Sequence, residues 1–217
     1  MKILAFDTSL NKTYIALDTG RATVSKIYET DENNYHSAYL IIGIKNILEE
    51  NGVSLSDIDL FAVNHGPGSF TGIRAGVTVA KTLAKELDKK VIGINSSDIL
   101  YETYQNLDPD VVLDARRGQF YLRKNSPLPG RAEIELIPYD NISDCITRKT
   151  VICDTSSVLS LKEYLKGREI KFINFEEDNV DLSKALINIA KNAVGSENLK
   201  WNSLNAAYIQ APPIHKK

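Results

Sequence analysis

The sequence predicts an α/β protein in which mixed β-sheets carry helices on their faces, arranged as two related lobes. Three observations lead there. Residues 3–29 read as three short strands separated by turns, the pattern of an antiparallel meander. From residue 35 the apolar spacing changes to three and four, and helical and strand-like runs then alternate. After residue 109 the same order begins again, strands first and αβ units second.

The first strand is the continuous apolar run 3–6, suited to the centre of a sheet and followed by the polar Asp7-Thr8-Ser9. Strands at 13–17 and 22–28 follow, with Asp18-Thr19-Gly20 as the turn between them. Over 35–51, Leu40, Ile41, Ile44, Ile47 and Leu48 recur at helical spacing, and Asn51-Gly52 stops the helix. An apolar strand at 58–63 leads into a glycine-rich turn, and a helix runs from that turn to residue 87. A strand at 91–94 and a helix at 98–104 follow, capped by Asn95-Ser96-Ser97, with a linker at 105–109.

The second half predicts strands at 110–113, 118–123 and 131–137, with a hairpin-type loop at Pro127-Leu128-Pro129-Gly130. Shorter units complete it: strand 151–153, helix 158–166, strand 170–175 and helix 182–194. A tail with Trp201, Tyr208 and Pro212-Pro213 closes the chain. The expected division is a first lobe over 1–105 and a second over 106–217, the last helix packing back on the first lobe.

Size and composition narrow the function classes. At 217 residues, 43% hydrophobic and 25% charged, the chain has the balance of a soluble globular protein with a sizeable core. No apolar run approaches the roughly 20 residues that a membrane span needs. The N-terminus enters a strand pattern directly rather than a signal peptide, which makes the cytoplasm the expected location. Net charge is −2, so positive surface for nucleic acid would have to come mostly from a partner. Cys145 and Cys153 form no CxxC pair and read as two small buried thiols.

The most informative stretch is His65-Gly66-Pro67-Gly68-Ser69-Phe70-Thr71-Gly72-Ile73-Arg74-Ala75. Glycines and hydroxyls at a strand-to-helix turn leave backbone N–H groups free at a helix start, which suits an anion; the same composition also serves a plain tight turn. Asp7, Thr8, Ser9, Gly66, Gly68 and Ser69 are therefore the candidate phosphate or nucleotide residues. Asp7 at its strand end suits either a metal–phosphate role or an Asx cap. A serine-hydrolase reading fails, because GxSxG is absent: in Gly66-Pro67-Gly68-Ser69-Phe70 phenylalanine follows the serine, and no base is near in sequence. His36, His65 and His215 form no metal motif.

The helix after the turn carries Gly72, Gly76, Ala80 and Ala84 every fourth residue, a stripe with almost no bulk. Glycine inside a helix costs about 1 kcal/mol relative to alanine, so the stripe implies a closely packed neighbour. That neighbour is the chain's own sheet or first helix, or a partner's helix. Asp114-Ala115-Arg116-Arg117-Gly118-Gln119 is a polar turn whose arginines suit a phosphate, an acidic partner or plain solvent.

Four blocks together resemble the TsaB (YeaZ) family: residues 3–9, the helix start at His36-Ser37, residues 66–74, and Asp114-Ala115-Arg116-Arg117-Gly118. Tyr208 is similar to a late tyrosine of that family, and Gln119 stands where the family usually has glutamate. The resemblance implies an actin-like (ASKHA) fold of two RNase H-like lobes, shared with sugar kinases. It implies an accessory subunit that pairs with a catalytic paralogue, TsaD, and works with an ATPase, TsaE. Together they install threonylcarbamoyl on the adenosine next to the anticodon of ANN-decoding tRNAs. It implies ATP, ADP and metal held by the partners rather than by this chain, tRNA reached through the complex, and a homodimer when the chain is alone.

TsaD-like proteins carry an HxxxH pair on the helix after the strand that here is 91–94; Ser96 and Leu100 stand in its place, and neither replaces imidazole as a metal ligand. The expected interface with the paralogue is a helical bundle carried by Leu40, Ile44, Ile47, Gly72, Gly76, Ala80 and Ala84. The competing expectation is an ATP-binding enzyme of the sugar-kinase type using Asp7-Thr8-Ser9 and the glycine turn, with Asp114 as its acid.

Overall fold

The computed structural model describes residues 1–29, 36–124, 132–195, 199–207 and 209, without the side chains of 36–38. The loop at 127–130, the start of the strand expected from 131, Tyr208, Pro212-Pro213, His215 and the side chain of His36 lie outside that description.

The first sheet is built from β1 (Ile3–Asp7), β2 (Thr13–Asp18), β3 (Thr23–Tyr28), β4 (Leu60–Gly66) and β5 (Lys90–Asn95), in the order β3-β2-β1-β4-β5. The three N-terminal strands form the expected antiparallel meander, and β4 and β5 add parallel to β1. Helix α1 (His36–Glu50) connects β3 to β4, α2 (Phe70–Glu86) connects β4 to β5, and α3 (Ser96–Tyr104) follows β5.

The second sheet repeats this plan. Its strands are β6 (Asp110–Asp114), β7 (Gln119–Arg123), β8 (Ile134–Pro138), β9 (Thr150–Cys153) and β10 (Lys171–Asn174), in the order β10-β9-β6-β7-β8. Again three strands are antiparallel and two add parallel. The helices α4 (Ile142–Cys145), α5 (Thr155–Tyr164) and α6 (Ser183–Asn192) take the places of α1, α2 and α3. The two halves share one topology although no repeat is visible in the sequence, because a sheet needs only the right pattern of apolar residues.

Alternation along the strands splits the core into layers. On one face of the first sheet Leu4, Phe6, Ile15 and Leu17 pack with Leu40, Ile47, Ala80 and Ala84 of α1 and α2. On the other face Ile3, Ala5, Tyr14 and Ala16 pack with Ile99 and Leu100 of α3 and with Leu186, Ile187 and Ala190 of α6. A third cluster holds Val112, Phe120, Val151 and Cys153 against Ile142 and Leu161. Cys153 is buried as expected, whereas Cys145 is only half-buried; both are free thiols.

Candidate functional site

The end of β1 and the glycine turn meet, and they close on each other. Thr8 Oγ1 donates to the Gly72 carbonyl at 2.7 Å, and the Ser69 N–H donates to the Ser9 carbonyl at 2.8 Å. A Cβ added at Gly72 would lie 1.8 Å from the Thr8 carbonyl oxygen, and one at Gly68 would lie 2.6 Å from that of Ser9. Glycine is needed at both positions because backbone meets backbone there. At the start of α2, Ser69 Oγ accepts the Gly72 N–H at 3.3 Å and the Ser69 carbonyl accepts the Ile73 N–H. Of the N–H groups at this helix start that an anion could use, those of Ser69 and Gly72 are thus already engaged, and Ile73 makes the first ordinary helical bond.

Asp7 sits beneath this junction as an Asx cap. Its Oδ1 accepts the Ser9 N–H at 2.6 Å and the Ser9 hydroxyl at 2.8 Å. Burial pushes its carboxyl above the usual carboxylate range, against the opposing pull of Ser9 and of the neighbouring Asn64 amide. Neither Asp7 Oδ2 nor Asn64 Nδ2 has a partner in hydrogen-bond geometry. Of the six candidate phosphate residues, only Ser9, Gly68 and Ser69 line open space; Asp7, Thr8 and Gly66 are buried.

The open space is a cleft of about 1070 Å³ between the two sheets. One wall is formed by Leu10, Pro67, Phe70 and Ile73, and the other by Leu113, Asp114, Arg116, Arg117, Asp154 and Glu176. On the second wall the start of α5 is also occupied from within. Asp154 Oδ1 accepts the Ser157 N–H at 2.8 Å, Asp154 Oδ2 accepts the Asp114 N–H at 2.9 Å, and Glu176 accepts the Thr155 N–H at 3.0 Å. Burial raises the Asp154 carboxyl from its ordinary value, with Ser157 and the Asp114 N–H pulling the other way. The helix start that could seat a second phosphate therefore faces carboxylates instead.

The structure places the residues of the expected small-residue interface inside the chain. Gly72, Gly76, Ala80 and Ala84 are buried inside the chain, and so are Leu40, Ile44 and Ile47. Gly76 packs under Thr8 and Val63, so the stripe seats α2 on its own sheet and leaves no room there for a partner's helix. What α1 and α2 present outward is the opposite face: Ile41 and Ile42, 59% and 58% exposed, and Phe70, 47% exposed with the Arg74 guanidinium 5.4 Å from its ring centre. The periodicity located one tightly packed face correctly but could not tell what packs on it.

Ser96 and Leu100 are both fully buried. The Ser96 hydroxyl is committed to Asn64 Oδ1 at 3.0 Å and to the Pro67 carbonyl. No group of three or more His, Cys, Asp or Glu side chains is placed to hold a metal ion among the described residues. No helix among the described residues is long and apolar enough to cross a membrane.

Two features near the cleft escaped the sequence reading. The first is a strap at 199–207 along the first lobe: the Val91 N–H donates to the Leu199 carbonyl, the Ala207 N–H to the His65 carbonyl, and His65 Nδ1 lies 2.9 Å from the Asn205 carbonyl. Leu204 is buried where Gly93 has no side chain. The second is a buried ion pair across the junction, Arg123 Nε to Asp98 Oδ1 at 2.9 Å, with the guanidinium 3.9 Å from the Tyr101 ring centre. Tyr104 adds a hydrogen bond to Asp178 and Ser25 one to Asp181.

Two like-ordered sheets facing each other across a cleft define a two-lobe protein of the actin-like class. Solved structures agree in fold. A Pseudomonas aeruginosa protein described as similar to peptidase YeaZ superposes with TM-score 0.79 at 22% identity, covering 96% of this chain and 99% of that one. YeaZ from the same organism gives 0.72 at 23% identity, covering 88% and 91%.

A family model described as TsaD, tRNA N6-adenosine threonylcarbamoyltransferase, matches residues 29–131. The tRNA threonylcarbamoyladenosine biosynthesis protein TsaB of Bacillus subtilis is 35% identical over 144 residues, which span 65% of this chain and 62% of that relative. TsaB of Buchnera aphidicola subsp. Schizaphis graminum is 31% identical over 153 residues, spanning 65% and 71%. The chain belongs to the TsaB family.

Proposed function

We propose that this chain is a non-catalytic, cytoplasmic subunit in the synthesis of threonylcarbamoyladenosine on tRNA, acting by docking to a TsaD-like paralogue that carries the chemistry. The pathway is the one named in its relatives. The observation that carries the accessory role is the state of the two helix starts at the cleft: both are capped by the chain's own serine, aspartate and glutamate groups. A kinase-type cleft needs those N–H groups for phosphate. The filled positions at Ser96 and Leu100 support the same reading, since a metal-bearing paralogue needs imidazoles there.

Docking uses the outward face of α1 and α2, around Ile41, Ile42 and Phe70, not the buried stripe. Adjacent exposed isoleucines have no role in the chain's own core, and covering them gives an interface its apolar centre. The same face pairs two copies when the paralogue is missing. A TsaE-like ATPase joins the complex, tRNA is reached through it, and ATP, ADP and metal are held by the partners. The lobes divide the work at about residue 105, the first for docking and the second for bracing the cleft.

The test is reconstitution of tRNA modification with and without this chain beside its paralogue. Modification is expected only with it, and Ile41→Asp/Ile42→Asp is expected to abolish complex formation while leaving the melting temperature within about 2 °C. Full modification without the chain overturns the reading. Calorimetry showing MgATP bound to the isolated chain favours the sugar-kinase alternative.

A further inference from the structure

The turn between β6 and β7 breaks a local rule. Arg116, Arg117 and Gly118 all have left-handed backbones, with φ of 64°, 54° and 74°. Tight turns of this kind select Asn, Asp and Gly, because a Cβ crowds the backbone when φ is positive. Two arginines are among the poorer choices for forming it. They persist because the turn is fastened from several sides. The Ala115 N–H donates to the Gln119 carbonyl, the Gln119 N–H to the Arg116 carbonyl, and the Tyr139 N–H to the Gly118 carbonyl. Asp114 Oδ1 accepts the Arg116 N–H at 2.8 Å and the Tyr139 hydroxyl at 3.0 Å.

The result is a rigid platform at the cleft rim that points two guanidinium groups outward. The Arg116 side chain is 79% exposed and Arg117 is exposed too. Among the described residues Arg116 has one acidic neighbour, Asp114 at 3.5 Å; that carboxylate is buried, but the guanidinium itself stays in water, so the pair holds it weakly. Strain held by over-determined surroundings points to a use for the strained residues. Guanidinium pairs at fixed spacing suit phosphodiester oxygens.

We propose that Arg116 and Arg117 contact the phosphate backbone of the tRNA in the assembled complex. This rests on the tRNA role proposed above. Inside the rim Asp114, Asp154 and Glu176 repel phosphate, so the backbone crosses the mouth of the cleft rather than entering it.

The test uses the complex of this chain with its paralogue and an unmodified ANN-decoding tRNA transcript, read by fluorescence anisotropy across a salt series. Arg116→Asn/Arg117→Gly gives the turn the residues it favours. It is expected to raise the melting temperature of the isolated chain by about 2–6 °C and to lower the slope of log K against log salt by about 2. The gap in affinity between wild type and variant then narrows about tenfold between 50 and 200 mM salt. Arg116→Lys/Arg117→Lys keeps charge and strain, and is expected to keep the slope and gain no stability. An unchanged slope with the Asn-Gly variant overturns the inference while leaving the tRNA role standing, as does loss of complex assembly with tRNA contact intact. Competition of the two arginines by millimolar MgATP overturns it in favour of a free nucleotide. A wild-type complex that assembles but binds no tRNA overturns both readings.

Discussion

Replacing Arg123 by methionine tests how the two lobes are joined. The guanidinium is 7% exposed and the Asp98 carboxylate 3% exposed, so Arg123→Met leaves a buried carboxylate with, among the described residues, only the long 3.4 Å contact from Asn95. Methionine fills much of the volume, so the cost is electrostatic rather than a cavity. Removing one partner of a buried pair costs about 3–5 kcal/mol, because the remaining charge has lost its hydrogen-bonded partner without regaining water. In a domain of this size each kcal/mol lowers the melting temperature by roughly 2–4 °C, so a fall of about 6–20 °C is expected. Loss of the cation over the Tyr101 ring adds a smaller amount in the same direction. The assay is urea unfolding followed by circular dichroism, beside Asp98→Leu and the double variant Asp98→Leu/Arg123→Met. If the pair is a true coupled unit, the double variant is more stable than the sum of the singles predicts by at least 1 kcal/mol. A loss below 1 kcal/mol for Arg123→Met, or strict additivity, would refute the reasoning.

Three further outcomes follow from the packing. Gly72→Ala forces a methyl against the Thr8 carbonyl and is expected to cost about 3 kcal/mol or more in urea unfolding; a variant as stable as wild type would show that α2 does not sit where described. Leu204→Ala empties the buried seat beside Gly93 and is expected to cost about 2–4 kcal/mol, with faster hydrogen exchange along β5; unchanged exchange there would remove the strap from the stability of the sheet. Burial raises the Asp7 carboxyl, so the folded chain holds that proton more tightly than the unfolded chain does. Stability then falls as pH rises from about 4 through the folded value and is level above it. Asp7→Asn is therefore expected to stabilise at pH 8 and to give no gain near pH 4, and a pH-independent difference would contradict the assignment.

Much of this fold was legible because alternation and helical spacing are local. The meander, α1, α2 and the four parallel additions all leave period-two or period-3.6 marks within a few residues. The cap made by Asp7 was legible for the same reason, since its partner is Ser9. What closes the glycine turn was not. Gly72 is glycine because of the Thr8 carbonyl, 64 residues earlier, and only the folded chain brings them together. The stripe told of a close neighbour without naming it, so the chain's own sheet or first helix was the better reading and a partner's helix stayed open beside it. The seat for Leu204 is a gap at Gly93, and a gap has no signature. The Arg-Arg turn was recognised as a turn, but its left-handed backbone is dictated by Asp114, Tyr139 and Gln119 rather than by the arginines themselves.

Helix α6 has a consequence for how the molecule is made. Its Leu186, Ile187 and Ala190 cover the side of the first sheet that carries Ile3, Ala5, Tyr14 and Ala16. During synthesis β5 is complete at residue 95, yet the covering helix ends at residue 192. At ordinary elongation rates that interval lasts roughly 5–20 s, during which a five-stranded sheet has one oily side open to the ribosome exit and its surroundings. Until then that side is open to non-specific association, and neither half is expected to accumulate as a soluble fragment. The two lobes are separate in topology but born as one folding unit.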